Sequence, residues 1–158
     1  MSQILTIGVG QAGIQIADAV LQKFATESGI QMDGFMSQEA MENKEPNGYD
    51  IFFREDQAGL FKPRAVLVDA EPDVCEKVMQ GEYGNMYDHD QFVMGKESAC
   101  TFARAENILG KPLRDEAMDK IRLNIEKIDI FQGVMMYNST GGGTGSGLGN
   151  LISDGLSR

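Results

Sequence analysis

Two glycine clusters and one pair of carboxylates are the residues whose types and spacing could do chemistry. Nineteen glycines among 158 residues is about 12%, against an average usage near 7%. Nine of them fall within residues 8–13 and 141–149. Glycine concentrated at two points brings backbone close to something else. The first cluster, Gly8-Val9-Gly10-Gln11-Ala12-Gly13, is a G-x-G-x-x-G. Between a strand and a helix this spacing is a dinucleotide fingerprint, and it aims free helical N–H groups and a positive dipole end at an anion. The acidic residue expected about 20 residues further on, at the end of a second strand, is missing. The next buried run ends only at Asp69. An NAD-binding oxidoreductase is therefore the lesser reading, and anion binding is what survives.

The second cluster is more specific. Residues 138–147, NSTGGGTGSG, follow an apolar run and precede a helical start. Three successive glycines let backbone wrap an oxyanion without Cβ clashes, and Thr144 and Ser146 add hydroxyls. No lysine follows any G-x-x-x-x-G, so this is not a Walker A loop. Phosphate charge then falls to backbone N–H groups, the helix end and a metal ion. Asp69 and Glu71 sit at a strand end on the same rim. Carboxylates there repel phosphate unless a hard cation bridges them, which gives Mg²⁺ as their natural companion. Alternatively they cap the next helix, with Pro72 at its first position. Both readings stand for Asp69, and the metal-linked one is preferred for Glu71.

These residues need elements to position them. Residues 3–9, QILTIGV, read as a buried strand. From Gln11 the period changes: Ile14, Ala17, Leu21 and Phe24 recur at helical spacing, with Gly29 as terminator. Residues 33–58 are polar and irregular with net charge −5, and read as a solvated acidic loop. Residues 65–69 and 91–94 predict two further strands. Pro112 opens a helix with the stripe Leu113, Ala117, Ile121, Ile125 and Ile128, and residues 130–138 predict a fourth strand. Strands alternating with helices predict an α/β fold, a parallel sheet with helices on both faces. Ligands of such sheets lie at the carboxyl ends of the strands. The turns at Gly10-Gln11, Asp69–Glu71, Gly95–Ser98 and Ser139–Gly145 should therefore share one rim.

Composition narrows the function classes. A net charge of −10 with one histidine argues against nucleic acid, which calls for a basic face. No run approaches the ~20 apolar residues of a membrane span. The apolar N-terminus lacks a basic n-region and is broken at Gly8, Gly10 and Gly13, unlike a signal peptide. Two cysteines, Cys75 and Cys100, make no disulfide framework and suit a reducing cytosol.

Taken together, Gly10–Ile16 (GQAGIQI), Lys62–Asp69 with Glu71-Pro72, and above all the heptad Gly141–Gly147 (GGGTGSG) resemble the tubulin family. The resemblance runs along residues 1–158 and corresponds to roughly the first third of a tubulin. Ala12, Gly29-Ile30-Gln31, Asp33-Gly34, Phe52-Phe53 and Gly95-Lys96-Glu97 look like the α form. The resemblance implies a Rossmann-like sheet forming the N-terminal part of a tubulin-type GTPase domain. The remaining sheet, a central helix and a second domain are expected beyond Arg158. It also implies GTP and Mg²⁺ as ligands, a β-tubulin-like subunit and the microtubule lattice as partners, and a cytoplasmic, cytoskeletal location. By motif, Gln11, Ala12 and Gln15 would approach the nucleotide. Glu71 would sit beside Mg²⁺ with Asp69 near it, and Ala99 would come from the third loop. Ser139, Gly142, Gly143, Thr144 and Gly145 would cradle the α- and β-phosphates. No catalytic residue is implied, because hydrolysis in the family's polymer engages the β-bound nucleotide and a later acidic residue of α. The third loop departs from the family pattern: Ser98 replaces an aspartate and Thr101 an asparagine pair, which puts the γ-phosphate and metal contacts in question. That departure motivates an alternative, a degenerate tubulin-like product that does not polymerise.

Overall fold

The structure is a computed structural model and describes residues 2–42 and 48–157. The chain opens with strand β1 (Gln3–Val9), every residue of it buried except Ile4, and turns at once into helix α1 (Gly10–Glu27). The helix starts one residue before the sequence pattern predicts. It stops at Ser28, where Gly29 takes a left-handed φ of +76°. A short helix α2 (Gln38–Glu42) follows.

The predicted acidic loop is only partly a loop. Strands β2 (Phe53–Glu55) and β3 (Phe61–Pro63) pair antiparallel, with Phe53 opposite Pro63. Phe53 is 0% exposed, and it packs with Phe61 against Leu21, Ala25 and Met86. Burying two aromatic rings contributes roughly 2–3 kcal/mol each, enough to outweigh the polarity of the surrounding residues. Charge is used rather than solvated: Arg54 Nη2 meets Asp88 Oδ2 at 2.8 Å, and Lys62 Nζ meets Asp88 Oδ1 at 2.5 Å. Residues 43–47 of that stretch lie outside the described residues.

Strand β4 (Ala65–Asp69) is fully buried and leads into helix α3 (Asp73–Met79). Strand β5 is Phe92–Met94. The preceding Gln91 forms a capping box with Asp88, and its Nε2 donates to the Pro63 and Ala65 carbonyls at 2.6 and 3.1 Å. The next helix begins earlier than Pro112 predicts. A single turn α4 (Phe102–Arg104) runs through a π turn (Ala105–Leu109) into α5 (Gly110–Ile125), with Pro112 in the first turn of that last segment. Strand β6 (Phe131–Asn138) is followed by a second π turn (Thr144–Leu148) and helix α6 (Gly149–Leu156).

Four strands form one parallel sheet in the order β5-β4-β1-β6. One face carries Leu5, Ile7, Val9, Val66 and Val68 under α5 and α6, through Leu113, Ala117, Ile121 and Ile152. The other carries Leu67 and Phe92 under α1 and α3, through Ile14, Ala17, Val74 and Val78. Helices therefore cover both faces, as the strand–helix alternation predicts. The alternate sidedness of Val66, Leu67 and Val68 explains why the strand reads as a continuous apolar run. The direction of chain progression reverses between β1 and β6, the switch point at which crevices open in such sheets. No helix among the described residues is long and apolar enough to cross a membrane.

Candidate functional site

The register sets Val9 beside Val68 and Asn138, so β1, β4 and β6 end level with one another. Their carboxyl-terminal loops close around a cleft of about 480 Å³. From β1 and α1 come Gln11, Ala12 and Gln15, with the two glutamines on one helical face at i and i+4. From the end of β4 come Asp69 and Glu71. Ala99 enters from the loop after β5. Ser139, Gly142, Gly143, Thr144 and Gly145 form the wall after β6. The structure thus gathers at one cleft the eleven residues that the family resemblance assigns to the nucleotide.

Glycine makes this closeness possible. Gly10 adopts φ +73°, and a Cβ there would stand 2.8 Å from the Gly145 amide nitrogen. Gly143 lies so tightly under the third loop that a Cβ would fall 1.7 Å from the Ala99 carbonyl oxygen. Gly142 has φ +84°, and a Cβ there would meet nothing within 4 Å. Ser139 Oγ donates to the Gly141 carbonyl at 2.7 Å, and Asn138 Nδ2 donates to the Gly145 carbonyl at 3.1 Å. These bonds hold the loop's shape from within. Ser146, offered by sequence as a ligand hydroxyl, instead donates to the Gly142 carbonyl and closes the turn. It borders a neighbouring hollow on the β6 side rather than the cleft.

Asp69 is only 5% exposed. Its Oδ1 accepts from the Ala70 amide at 2.7 Å. Burial lifts its pKa to about 6 despite that bond and the one from Glu71, with the Glu71 and Asp73 carboxylates adding to the rise. A carboxyl kept that high marks a site where charge is costly without a cation. Burial together with the Asp69 charge also pushes the Cys75 thiol up to about 12. Helix α3 has Pro72 at its N-cap and no side-chain cap, so neither Asp69 nor Glu71 serves the capping role. Pro72 therefore lies one position before its predicted place.

Two expectations change. Of the third loop, Ala99 reaches the cleft while Gly95–Ser98 do not line it. Thr101 Oγ1 accepts from the Arg104 amide at 3.4 Å and caps α4. The cleft also contains residues that sequence reasoning missed: Gly141 from the glycine loop, and Asp73, Val74 and Lys77 from α3. Their i, i+1, i+4 spacing directly after Asp69-Ala70-Glu71-Pro72 was the available signal. A lysine is therefore present, supplied by the helix opposite rather than by the glycine loop.

The residues present fit a phosphate chain accompanied by a hard cation. The glycine backbone of residues 141–143 and 145 lines one wall, and the Asp69 and Glu71 carboxylates stand on the other. Among the described residues no cluster of three His, Cys, Asp or Glu side chains could hold a metal alone. Asp69 and Glu71 are hard oxygen donors, the kind that hold Mg²⁺ singly or in pairs together with water and phosphate oxygens.

Comparison with known proteins follows the same lines. The chain is 40% identical over 157 residues to the Tubulin alpha-2 chain of Schizosaccharomyces pombe. It is 39% identical over 158 residues to the Tubulin alpha chain, nucleomorph, of Guillardia theta and to the Tubulin alpha-1 chain of Pelvetia fastigiata. Each alignment covers 99% of this chain and 35% of the relative, so the chain spans about a third of the length of the curated relatives it matches. The model of the Tubulin/FtsZ family's GTPase domain matches residues 3–158, and with a sheet, a glycine loop and a switch-point cleft of this kind the chain belongs to that family.

Proposed function

We propose that the cleft binds GTP with Mg²⁺, and that the chain is the leading part of an α-tubulin-like subunit that joins a β-tubulin-like partner in microtubules. The observation that carries this is the seating of Gly145 directly on Gly10, which brings the two glycine loops to one cleft. In this reading Ser139, Gly142, Gly143, Thr144 and Gly145 cradle the α- and β-phosphates. Gln11, Ala12 and Gln15 approach from α1, and Ala99 closes the third side. Glu71 and the buried Asp69 hold Mg²⁺ through carboxylate oxygen or bound water, and the cation offsets their repulsion of phosphate. When bound, Mg²⁺ neutralises phosphate charge. Guanine, the tubulin partner and the cytoplasmic, cytoskeletal location come from the likeness to the alpha chains.

The test is equilibrium binding of GTP to the whole chain with and without Mg²⁺, with NADH as comparator. Magnesium-dependent GTP binding with no NADH binding is expected, and NADH binding in place of GTP sinks the reading. Co-sedimentation with microtubules then tests assembly. One feature favours a second reading, a nucleotide binder that does not polymerise. In the third loop Ser98 and Thr101 stand outside the cleft, and Thr101 caps α4 instead. Exclusion from microtubules alongside intact GTP binding selects that reading.

A further inference from the structure

Lys77 is the one cationic side chain among the residues lining the cleft, which also carries the carboxylates of Asp69, Glu71 and Asp73. It lies on α3 one turn beyond Asp73. That i,i+4 spacing, with the acid on the N-terminal side, is the arrangement in which such pairs ordinarily form. Lys23, Lys62, Lys120 and Lys127 each stand within ion-pair distance of a carboxylate. Lys77, like Lys96 and Lys111, has no side-chain partner among the described residues, and of these three only Lys77 lines the cleft.

Its place across the cleft gives this free charge a direction. The glycine loop follows β6 and α3 follows β4, with β1 between them. Two strand spacings, about 10 Å, therefore separate the roots of the two walls. A phosphate chain whose inner groups rest on the glycine loop extends over Gln11 and Ala12 toward α3. We propose that Lys77 contacts the outermost phosphate of the bound nucleotide and sets a preference for triphosphate over diphosphate. This rests on the GTP reading above and adds the residue that senses the terminal group. A compact ammonium on a flexible stem is suited to a point contact with phosphate oxygen.

The experiment measures Kd for GTP and for GDP, both with Mg²⁺, on the whole chain and on Lys77→Met and Lys77→Arg. Lys77 is exposed, so both variants should melt with the parent, and Lys77→Gln replaces Lys77→Met if that variant does not. Loss of a charge-assisted contact should weaken GTP binding about tenfold in Lys77→Met. GDP binding should change by less than about twofold, and Lys77→Arg should retain the parent's preference. Unchanged GTP binding in Lys77→Met, or equal weakening of GTP and GDP, overturns the assignment while leaving the GTP site standing. Failure of the parent chain to bind either nucleotide removes the site reading itself, and Lys77's role with it.

Discussion

Gly10 and Gly145 stand back to back: a β-carbon on Gly10 would lie 2.8 Å from the Gly145 amide nitrogen and 3.0 Å from its Cα. Two loops from opposite ends of the sequence thus share one space, and the cleft exists because neither carries a side chain there. Conformation and contact act together at Gly10, whose φ of +73° is also one that other residues rarely adopt.

Glycine replacement separates these effects. Gly10→Ala should destabilise the fold by roughly 2–3 kcal/mol, combining left-handed strain with the clash. Gly143→Ala should do at least as much, because its Cβ would fall 1.7 Å from the Ala99 carbonyl oxygen. Gly133→Ala is the control: it sits in β6 with nothing within 4 Å, and alanine in a strand should be neutral or stabilising by about 0.5–1 kcal/mol. Thermal melting of the three variants checks this. Equal melting temperatures for Gly10→Ala and Gly133→Ala would contradict the packing described.

Asp88 ties the small β2–β3 hairpin to the segment before β5. Arg54 and Lys62 both reach it, from two different strands, and Lys62 also meets Asp56 at 3.2 Å. Asp88→Ala should leave two half-buried cations short of a partner and cost about 1–2 kcal/mol. Hydrogen exchange should speed up in residues 53–63 while the parallel sheet stays protected. Uniform protection across both sheets would show that the aromatic packing of Phe53 and Phe61 suffices without the ion pairs.

Asp18 gives the chain a pH dependence of a particular sign. Burial raises its pKa above the ordinary carboxylate value, against the hydrogen bonds it accepts from Tyr87 and Gln22. Tyr87 Oη donates to Asp18 Oδ1 at 2.9 Å. A folded-state pKa above the unfolded one means the native chain holds the proton longer. Asp18's contribution to stability is therefore fully present below the unfolded value of 3.8 and is lost as pH rises through the higher folded value. Asp18→Asn keeps an acceptor for Tyr87 and removes the titration. The difference in stability between Asp18→Asn and the parent should grow in the variant's favour from pH 4 to pH 7. A constant difference across that range, measured by denaturant titration, contradicts the sign.

Much of the fold was legible because the relevant patterns are local. The run Gln3–Val9, the stripe Ile14, Ala17, Leu21 and the fully buried Ala65–Asp69 each read correctly from a few consecutive residues. The heptad after β6 read as a place of close backbone approach, which Gly143, Gly145 and Gly147 make. Tertiary structure decided the rest. Strands of three residues carrying Arg54, Glu55 and Lys62 show no apolar run, and they pair because Phe53 and Phe61 find Leu21 and Ala25 from a distant helix. Ser146 was misread because its hydroxyl turns inward to the Gly142 carbonyl, a choice set by the π turn and not by residue type. Lys77 was passed over because a lone lysine on a seven-residue helix resembles any solvated charge. It enters the cleft only because α3 lies beside α1 on one face of the sheet, with Val74 and Ile14 in the same core cluster, a long-range packing that no local pattern encodes.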